Sequence, residues 1–453
     1  MKLEKIFILI TLVFGFFYTL TLPPFQSVDE GMHFYRTYQI SQGRFIAQNI
    51  DGKVGDYLPK DLSEFYKSYE PFIKNIDRKQ TLDNIKKDFK YIADDNDLVF
   101  TQFTNTALYS PVCYVSQLPG VLVGKMLKLP LVGIYYLGRL SNLISYCFLI
   151  FLALKLAPFF RLPMFLLALM PMSLSLAGAY TCDVAVLGLN FIWMAMILRL
   201  LEKDECQRKD IIWMSVIAFL ITLSKSYILL LPLVFLIPMS KFKNKKDYIL
   251  SLCFISFATL TAGAIWYLSS KGLKLDMNEV FADSAMQKLF IMSHPFEFIG
   301  VLIKTFFVKT PRLYITMIGV LGWQDTKLDW ITYIVYPVLL YFAVFADTSK
   351  FILNRWQKLI VLADLLFGIV LTYTSLYIMW SPVGNPVVMG LNGKYFIPLM
   401  IPFLLLFKPI NSKFDYTKIQ LILVLSVILI LLSGELSLLH RFYDITPQLY
   451  YKI

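Results

Sequence analysis

The chain has 453 residues, of which 57% are hydrophobic and only 16% are charged. A soluble domain cannot hide this much apolar surface, so the composition excludes a soluble protein and indicates a polytopic membrane protein with helical spans. The net charge of +12 collects in short loops such as residues 241–246, which is the positive-inside pattern of membrane proteins and argues against nucleic-acid binding.

The first apolar segment, roughly residues 6–22, is predicted to be an uncleaved membrane helix with its N-terminus in the cytoplasm. The sequence that follows it, Leu22-Pro23-Pro24, offers no small-residue cleavage site. A long polar stretch, residues 26–107, comes next and is predicted to be an external loop with short juxtamembrane helices. The later apolar segments bring the prediction to about eleven spans, within a range of about ten to thirteen.

The topology between residues 108 and 239 has two solutions. The segment 211–239 is long for one span and carries Lys225 near its middle. Strict alternation from the first helix places the Arg161 and Arg208 loops outside, against the charge bias. The bias is restored if 108–128 does not span the membrane and if 211–239 divides into two short segments with Lys225 at an external turn. The sequence leaves both solutions open.

The predicted organisation has three parts. Residues 1–270 form an N-terminal transmembrane module that includes the external loop 26–107. Residues 271–330 form a second external loop with juxtamembrane helices, and residues 331–453 form the C-terminal spans and an external tail. The predicted fold class is therefore an all-α polytopic membrane protein with two large external loops.

A cluster of polar residues follows the first span directly. Asp29 and Glu30 are adjacent, and His33 and Arg36 come within the next two turns. If this stretch is helical, Asp29, His33 and Arg36 share one face. A carboxylate at a partly desolvated interface can take a proton from a hydroxyl, so Asp29 and Glu30 are candidate catalytic residues. His33 and Arg36 would orient them or hold a phosphate. The alternative is a helix N-cap with an interfacial salt bridge.

Two lysines are candidate phosphate ligands. Lys225 lies in an apolar stretch, where its charge is costly unless it is paired, and the phosphate of an anionic lipid is a natural partner. The alternatives are snorkelling or an internal ion pair. Lys394 is the first residue of a predicted span and can hold a phosphate as a point charge. The adjacent Gly393 would let a ligand approach the backbone.

Three further residues are weaker candidates for the site. Arg139 and Arg312 would bind phosphate or serve as interfacial anchors. Asp183 lies between two apolar runs and is either a supporting site residue or a helix cap. Because the chain has only three histidines, a histidine-based metal cluster is not expected.

Three short motifs, taken with the loop layout, resemble a bacterial family of multispanning membrane proteins of formerly unknown function. That family is grouped with the GT-C glycosyltransferase superfamily. The motifs are Pro23-Pro24 with Asp29-Glu30-x-x-His33, then Leu321-Gly322-Trp323-Gln324-Asp325-Thr326, and then Gly393-Lys394-Tyr395-Phe396-x-Pro398. The resemblance covers the whole chain at the level of architecture and implies a GT-C-like fold.

The resemblance implies an inverting glycosyltransferase in the bacterial cytoplasmic membrane, with its active site facing outside. A sugar would pass from a polyprenyl-phosphate-linked donor to a glycan or lipid acceptor. Asp29 would act as the base, Lys225 and Lys394 would hold the lipid phosphate, and Asp325 would be a supporting residue. The last motif of the family more often reads Gly-Arg-Tyr, so Lys394 is a departure that gives up bidentate phosphate contact. No Asp-x-Asp motif stands near Asp29, and neither a divalent metal nor another cofactor is expected.

Two other functions compete with this interpretation. A transporter or flippase for polysaccharide precursors would place polar residues along several helices, whereas the midspan regions here are nearly free of charge. No internal repeat supports an inverted-repeat transporter. An accessory protein of cell-surface polysaccharide assembly is the second alternative, and it predicts that Asp29→Asn leaves activity intact.

Overall fold

The structure is a computed structural model that describes residues 2–225, 228–273, 283–412 and 414–443. The N-terminal half contains α1 (Leu3–Thr21), α2 (Glu30–Ser41), α3 (Lys60–Tyr69), α4 (Leu82–Asp88), α5 (Thr104–Ala107), α6 (Leu118–Met126), α7 (Leu131–Leu156), α8 (Arg161–Ala168), α9 (Pro171–Ala177), α10 (Asp183–Glu202) and α11 (Arg208–Leu223). The C-terminal half contains α12 (Lys245–Ser270), α13 (Ser284–Ser293), α14 (Pro295–Gly319), α15 (Trp330–Phe345), α16 (Arg355–Trp380), α17 (Met400–Leu405) and α18 (Tyr416–Phe442).

Six helices in the described ranges are long and apolar enough to cross a membrane: α1, α7, α10, α12, α16 and α18. The pair α13 and α14 is bent by 107° at its break and forms either a seventh crossing or a re-entrant segment. Other apolar stretches are short or interrupted, as in α8 and α9. The prediction of a helical multi-pass membrane protein is confirmed, whereas the predicted number of about eleven spans is not confirmed.

Polar contacts define two ends of the helical bundle. At one end, which we call the loop end, the long loop of residues 26–107 meets the helix termini: Gln80 N donates to Phe442 O (2.7 Å) and Trp266 Nε1 donates to Leu108 O (2.7 Å). At the opposite end, which we call the basic end, ion pairs hold the short loops in place. They are Glu4–Arg161, Lys203–Asp210 and Asp347–Lys408. The basic residues of the short loops therefore share one end.

The chain between residues 108 and 239 follows the second of the two predicted solutions. α6 has only nine residues and packs along the beginning of α7, so it does not cross the bundle. α11 runs from the basic end to the loop end, where Ser110 Oγ donates to Leu223 O (2.7 Å). The chain turns at Lys225 and returns to the basic end, where Gln357 Nε2 donates to Leu236 O (2.9 Å).

The long loop of residues 26–107, predicted to be external, contains a small sheet that the sequence analysis did not predict. β1 (Gln48–Ile50), β2 (Lys53–Pro59) and β3 (Leu98–Gln102) form an antiparallel sheet in the order β1-β2-β3. The register pairs Gly55 with Gln102, far along the chain, so local periodicity could not indicate it. The loop also has its own aromatic core: the Phe25 ring lies against Phe65 (centroids 5.1 Å apart) and Tyr135 (4.7 Å).

A second, shorter hairpin follows α14. β4 (Val320–Leu321) pairs with β5 (Thr326–Lys327), and the turn between them has left-handed backbone at Gly322 (φ 64°) and Gln324 (φ 62°). This hairpin carries the second sequence motif. Residues 274–282 of the predicted second external loop lie outside the described residues.

Candidate active site

The turn that carries Asp29 links α1 to α2 at the loop end. Asp29 is the N-cap residue of α2 but has left-handed backbone (φ 60°), and its side chain makes no capping hydrogen bond. Left-handed backbone is uncommon for a residue other than glycine and often marks a functional position. The half-buried carboxylate accepts one long hydrogen bond, from Asn105 Nδ2 (3.4 Å), and no basic group of the described chain lies within 4.0 Å. The Asp29 side chain is therefore available to a substrate.

Glu30 is in the opposite situation. Its side chain is fully buried and receives two hydrogen bonds from Arg139, at 2.8 and 2.7 Å. The amides of Ser27 (3.1 Å) and Tyr180 (2.9 Å) also donate to it. The other N–H groups of Arg139 donate to backbone carbonyls at the end of α1, including Thr19 O (3.0 Å). The geometry therefore gives Glu30 and Arg139 a structural role in joining α1, α2, α7 and the segment before α10, and it leaves neither group free for substrate.

His33 and Arg36 lie in the interior of the loop, and the described chain has no salt bridge from either to Asp29. His33 Nδ1 is 3.0 Å from the Tyr114 hydroxyl, and its ring stacks on Tyr109. Burial, with Lys225 nearby, lowers the pKa of His33 to about 3, so the imidazole is neutral at physiological pH. Arg36 donates to Phe45 O (2.8 Å) and Tyr109 O (3.1 Å) and so holds α2 to the loop.

Asp183, Lys225 and Lys394 come together as one charged cluster. Lys394 Nζ lies 2.8 Å from Asp183 Oδ2, and Lys225 Nζ lies 3.8 Å from Asp183 Oδ1. Lys225 also lies over the rings of Tyr109 (5.2 Å) and Tyr395 (5.1 Å). Two cations share one carboxylate, so the cluster keeps an excess positive charge. The sequence analysis named all three residues but did not pair them.

A small cavity connects this cluster to the Asp29 turn. Ser27 and Val28 line it from the turn, Gln324 from the β4–β5 hairpin, and Asn392 and Lys394 from the third motif. Its volume is about 20 Å³, room for about one water molecule.

Arg312 reaches the same place from α14. It is exposed, and its Nη2 donates to Gln324 Oε1 (3.1 Å). Asp325 does not join the cavity, because it pairs with Arg441 (2.7 Å) on the other side of the hairpin. Of the predicted site residues, Lys394 lines the cavity, and Asp29 follows directly on the lining residues Ser27 and Val28. Asp183 and Lys225 join the cavity through the charged cluster, and Arg312 through its bond to Gln324.

The second and third motifs owe much of their sequence to packing. Trp323 Nε1 donates to Phe25 O (2.8 Å), which joins the hairpin to the Asp29 turn. A Cβ atom at Gly393 would lie 2.0 Å from Leu313 O of α14, and Gly393 N donates to Thr316 Oγ1 (3.0 Å). The prediction that Gly393 makes room for a ligand is therefore wrong, because the backbone of α14 occupies that space.

The described residues contain no group of three or more His, Cys, Asp or Glu side chains placed to hold a metal ion. The expectation of a metal-independent reaction stays a prediction.

Fold and site together define a multi-pass helical membrane protein with a small cavity beside a positively charged cluster at its loop end. The chain belongs to the family described as "Predicted membrane protein (DUF2142)", which matches residues 12–403. This range contains the Asp29 turn, the hairpin motif and both lysines of the Asp183 cluster. No curated protein and no solved structure matches the chain.

Proposed function

We propose that the protein is a glycosyltransferase that moves a sugar from a polyprenyl-phosphate-linked donor to a glycan, lipid or similar acceptor. The observation that carries the proposal is the convergence of the Asp29 turn and Lys394 on one cavity at the loop end. The basic residues gather at the opposite end, which by the positive-inside bias would be cytoplasmic. The reaction would then take place at the outer face of the bacterial cytoplasmic membrane.

The proposed reaction is one displacement at the anomeric carbon, with inversion. The acceptor oxygen forms a bond to this carbon as the bond from the carbon to the phosphate oxygen breaks. The Asp29 carboxylate takes the hydroxyl proton of the acceptor, and the electron pair of the broken bond leaves with the polyprenyl phosphate. Because a phosphate leaving group needs no protonation, one base suffices, unlike the two-carboxylate arrangement of glycoside hydrolases.

Lys394 and Lys225 would stabilise the charge that develops on the leaving phosphate. Asp183 holds both ammonium groups in place but neutralises only one of them, so positive charge remains for the phosphate. Arg312, held by Gln324 at the same cavity, is an exposed third cation that a lipid phosphate would meet on its way in. Glu30 and Arg139 contribute by fixing the turn on which Asp29 lies.

The test is transfer by the purified protein from a panel of polyprenyl-phosphate monosaccharides to an envelope glycan acceptor. We expect Asp29→Asn to lower the rate by about 10²–10⁴-fold, the range that general base catalysis supplies. Donor binding and the unfolding temperature should stay unchanged, because the Asp29 side chain makes no capping bond and no ion pair in the described chain.

The matched control is Asp77→Asn, which removes an exposed carboxylate of the same loop away from the cavity. It should transfer sugar at the wild-type rate. Full turnover by Asp29→Asn would remove Asp29 from the mechanism, and no transfer by the wild type with any donor of the panel would count against the transferase itself.

A further inference from the structure

A second and much larger hollow lies at the loop end, across the β4–β5 hairpin from the small cavity. Its volume is about 700 Å³. One wall is the first external loop at Ile76 and Lys79, another is β5 with the residues that follow it, and the third is the last two turns of α18. We call it the α18 groove.

The apolar side of the groove continues onto the face of α18 that the protein leaves uncovered. Leu436 lines the groove and is 48% exposed. Exposed residues at spacings of three and four continue this face toward the basic end: Leu432, Leu429, Leu425 and Ile422. Because α18 is long and apolar enough to cross a membrane, we expect this stripe to face lipid and the groove to open onto the hydrocarbon region.

The polar side of the groove has an excess of positive charge. Arg441 and Asp325 neutralise each other (2.7 Å), and the Asp329 carboxylate accepts from Ile331 N (2.9 Å) at the start of α15. Lys327 is exposed and has no ion-pair partner in the described chain.

Lys79 likewise has no carboxylate beside it among the described residues. Its ammonium group donates there to the carbonyls of His440 (2.9 Å) and Arg441 (2.9 Å) at the end of α18. The charged groups of the groove are thus three cations and two carboxylates, with a net charge of +1.

We propose that the α18 groove binds one anionic phospholipid. Its phosphate would lie between Lys79 and Lys327, and an acyl chain would follow Leu436 and the exposed stripe below it. Basic groups beside an apolar membrane surface are the usual recognition elements for anionic headgroups. The bound lipid would join the first external loop, the hairpin and α18, and this site does not depend on the transferase reaction.

The experiment is native mass spectrometry of the full protein released from nanodiscs of equal phosphatidylglycerol and phosphatidylcholine. The wild type should retain one phosphatidylglycerol. The double variant Lys79→Gln, Lys327→Gln should bind it about thirtyfold more weakly, because each lysine near an anionic headgroup is worth about a fivefold change in affinity. The control double variant Lys67→Gln, Lys86→Gln removes two exposed lysines of the same loop outside the groove, and it should retain the lipid.

Equal retention by the groove variant and the wild type would overturn the proposal. So would retention of phosphatidylcholine to the same extent, or displacement of phosphatidylglycerol by an equal concentration of polyprenyl phosphate. The unfolding temperature of each variant is measured alongside. If the double variant unfolds at a lower temperature than the wild type, the single variant Lys327→Gln is used as the test instead. This exposed side chain makes no ion pair in the described chain, so its loss should not destabilise the protein. The affinity for phosphatidylglycerol should then fall by about fivefold.

Discussion

Two neighbouring carboxylates, Asp29 and Glu30, occupy very different environments. Glu30 is buried, with four donors around it, and its partner Arg139 is equally enclosed. Asp29 is half-buried, with strained backbone and one long hydrogen bond. The ion pairs of the two carboxylates' surroundings differ in the same way. In the Glu30–Arg139 pair one negative charge balances one positive charge, whereas in the Asp183 cluster one carboxylate faces two lysines.

This comparison separates charge that the fold uses from charge that is left available to a ligand. A buried pair whose donors are all used is costly to disturb and offers a ligand nothing. A partly exposed group with unused hydrogen-bonding capacity contributes little to stability but can receive a substrate. We therefore expect substitutions at the Glu30–Arg139 pair to change folding, and substitutions around the cavity to change binding or rate.

The largest effect on stability is expected for Arg139→Ala. It leaves the Glu30 carboxylate buried without its counter-ion, and breaking a buried pair in this way costs about 3–5 kcal/mol. The free energy of unfolding in detergent measures it. The control is Lys60→Ala, which breaks the exposed Lys60–Glu64 pair (3.6 Å) and should cost less than about 1 kcal/mol. Equal stability of the two variants would refute the structural role of Arg139.

A smaller effect, on binding, is expected for Lys394→Gln. Hydrogen bonds to charged groups contribute about 1.5–3 kcal/mol, so the affinity for polyprenyl phosphate should fall by about 10–100-fold. Lys225→Gln should cost less, because Lys394 lines the cavity and Lys225 does not. Lys418→Gln, an exposed lysine at the basic end, is the control. Unchanged affinity in Lys394→Gln would show that this lysine serves only as the counter-ion of Asp183.

The sequence could single out the polar residues that gather at the loop end, but not which of them pair. The polar turn after the first span and the interruption at Lys225 are local features, and both are found at the loop end. The pairing of Asp183 with Lys394, and of Glu30 with Arg139, joins residues far apart in the chain. Neither periodicity nor charge bias carries that information, so Glu30 and Asp29 looked alike.

The same limit explains two differences in the fold. The β2–β3 ladder pairs strands separated by α3 and α4, and a short strand beside amphipathic helices gives a weak local signal. The role of Gly393 depends on α14, whose backbone approaches it from a distant part of the sequence. The positive charge of the short loops, in contrast, indicates on which side of the membrane each loop lies, whatever its distance along the chain. It correctly favoured a reversal of the chain direction at Lys225.

The smallest effect tests whether His33 belongs to the structural or the functional set. Its pKa is about 3 in the folded protein and about 6.5 when unfolded, so the unfolded chain binds one more proton between these values. Stability from this group is therefore present above pH 6.5 and falls by about 1.4 kcal/mol per unit as the pH drops below it. Between pH 7 and pH 5, the wild type should lose about 2 kcal/mol more than His33→Asn, measured by unfolding at each pH. His294→Asn, at an exposed histidine, is the control for the loss of one imidazole. Identical pH profiles for the wild type and His33→Asn would mean that water reaches the imidazole, and His33 would then join Asp29 on the accessible side of the comparison.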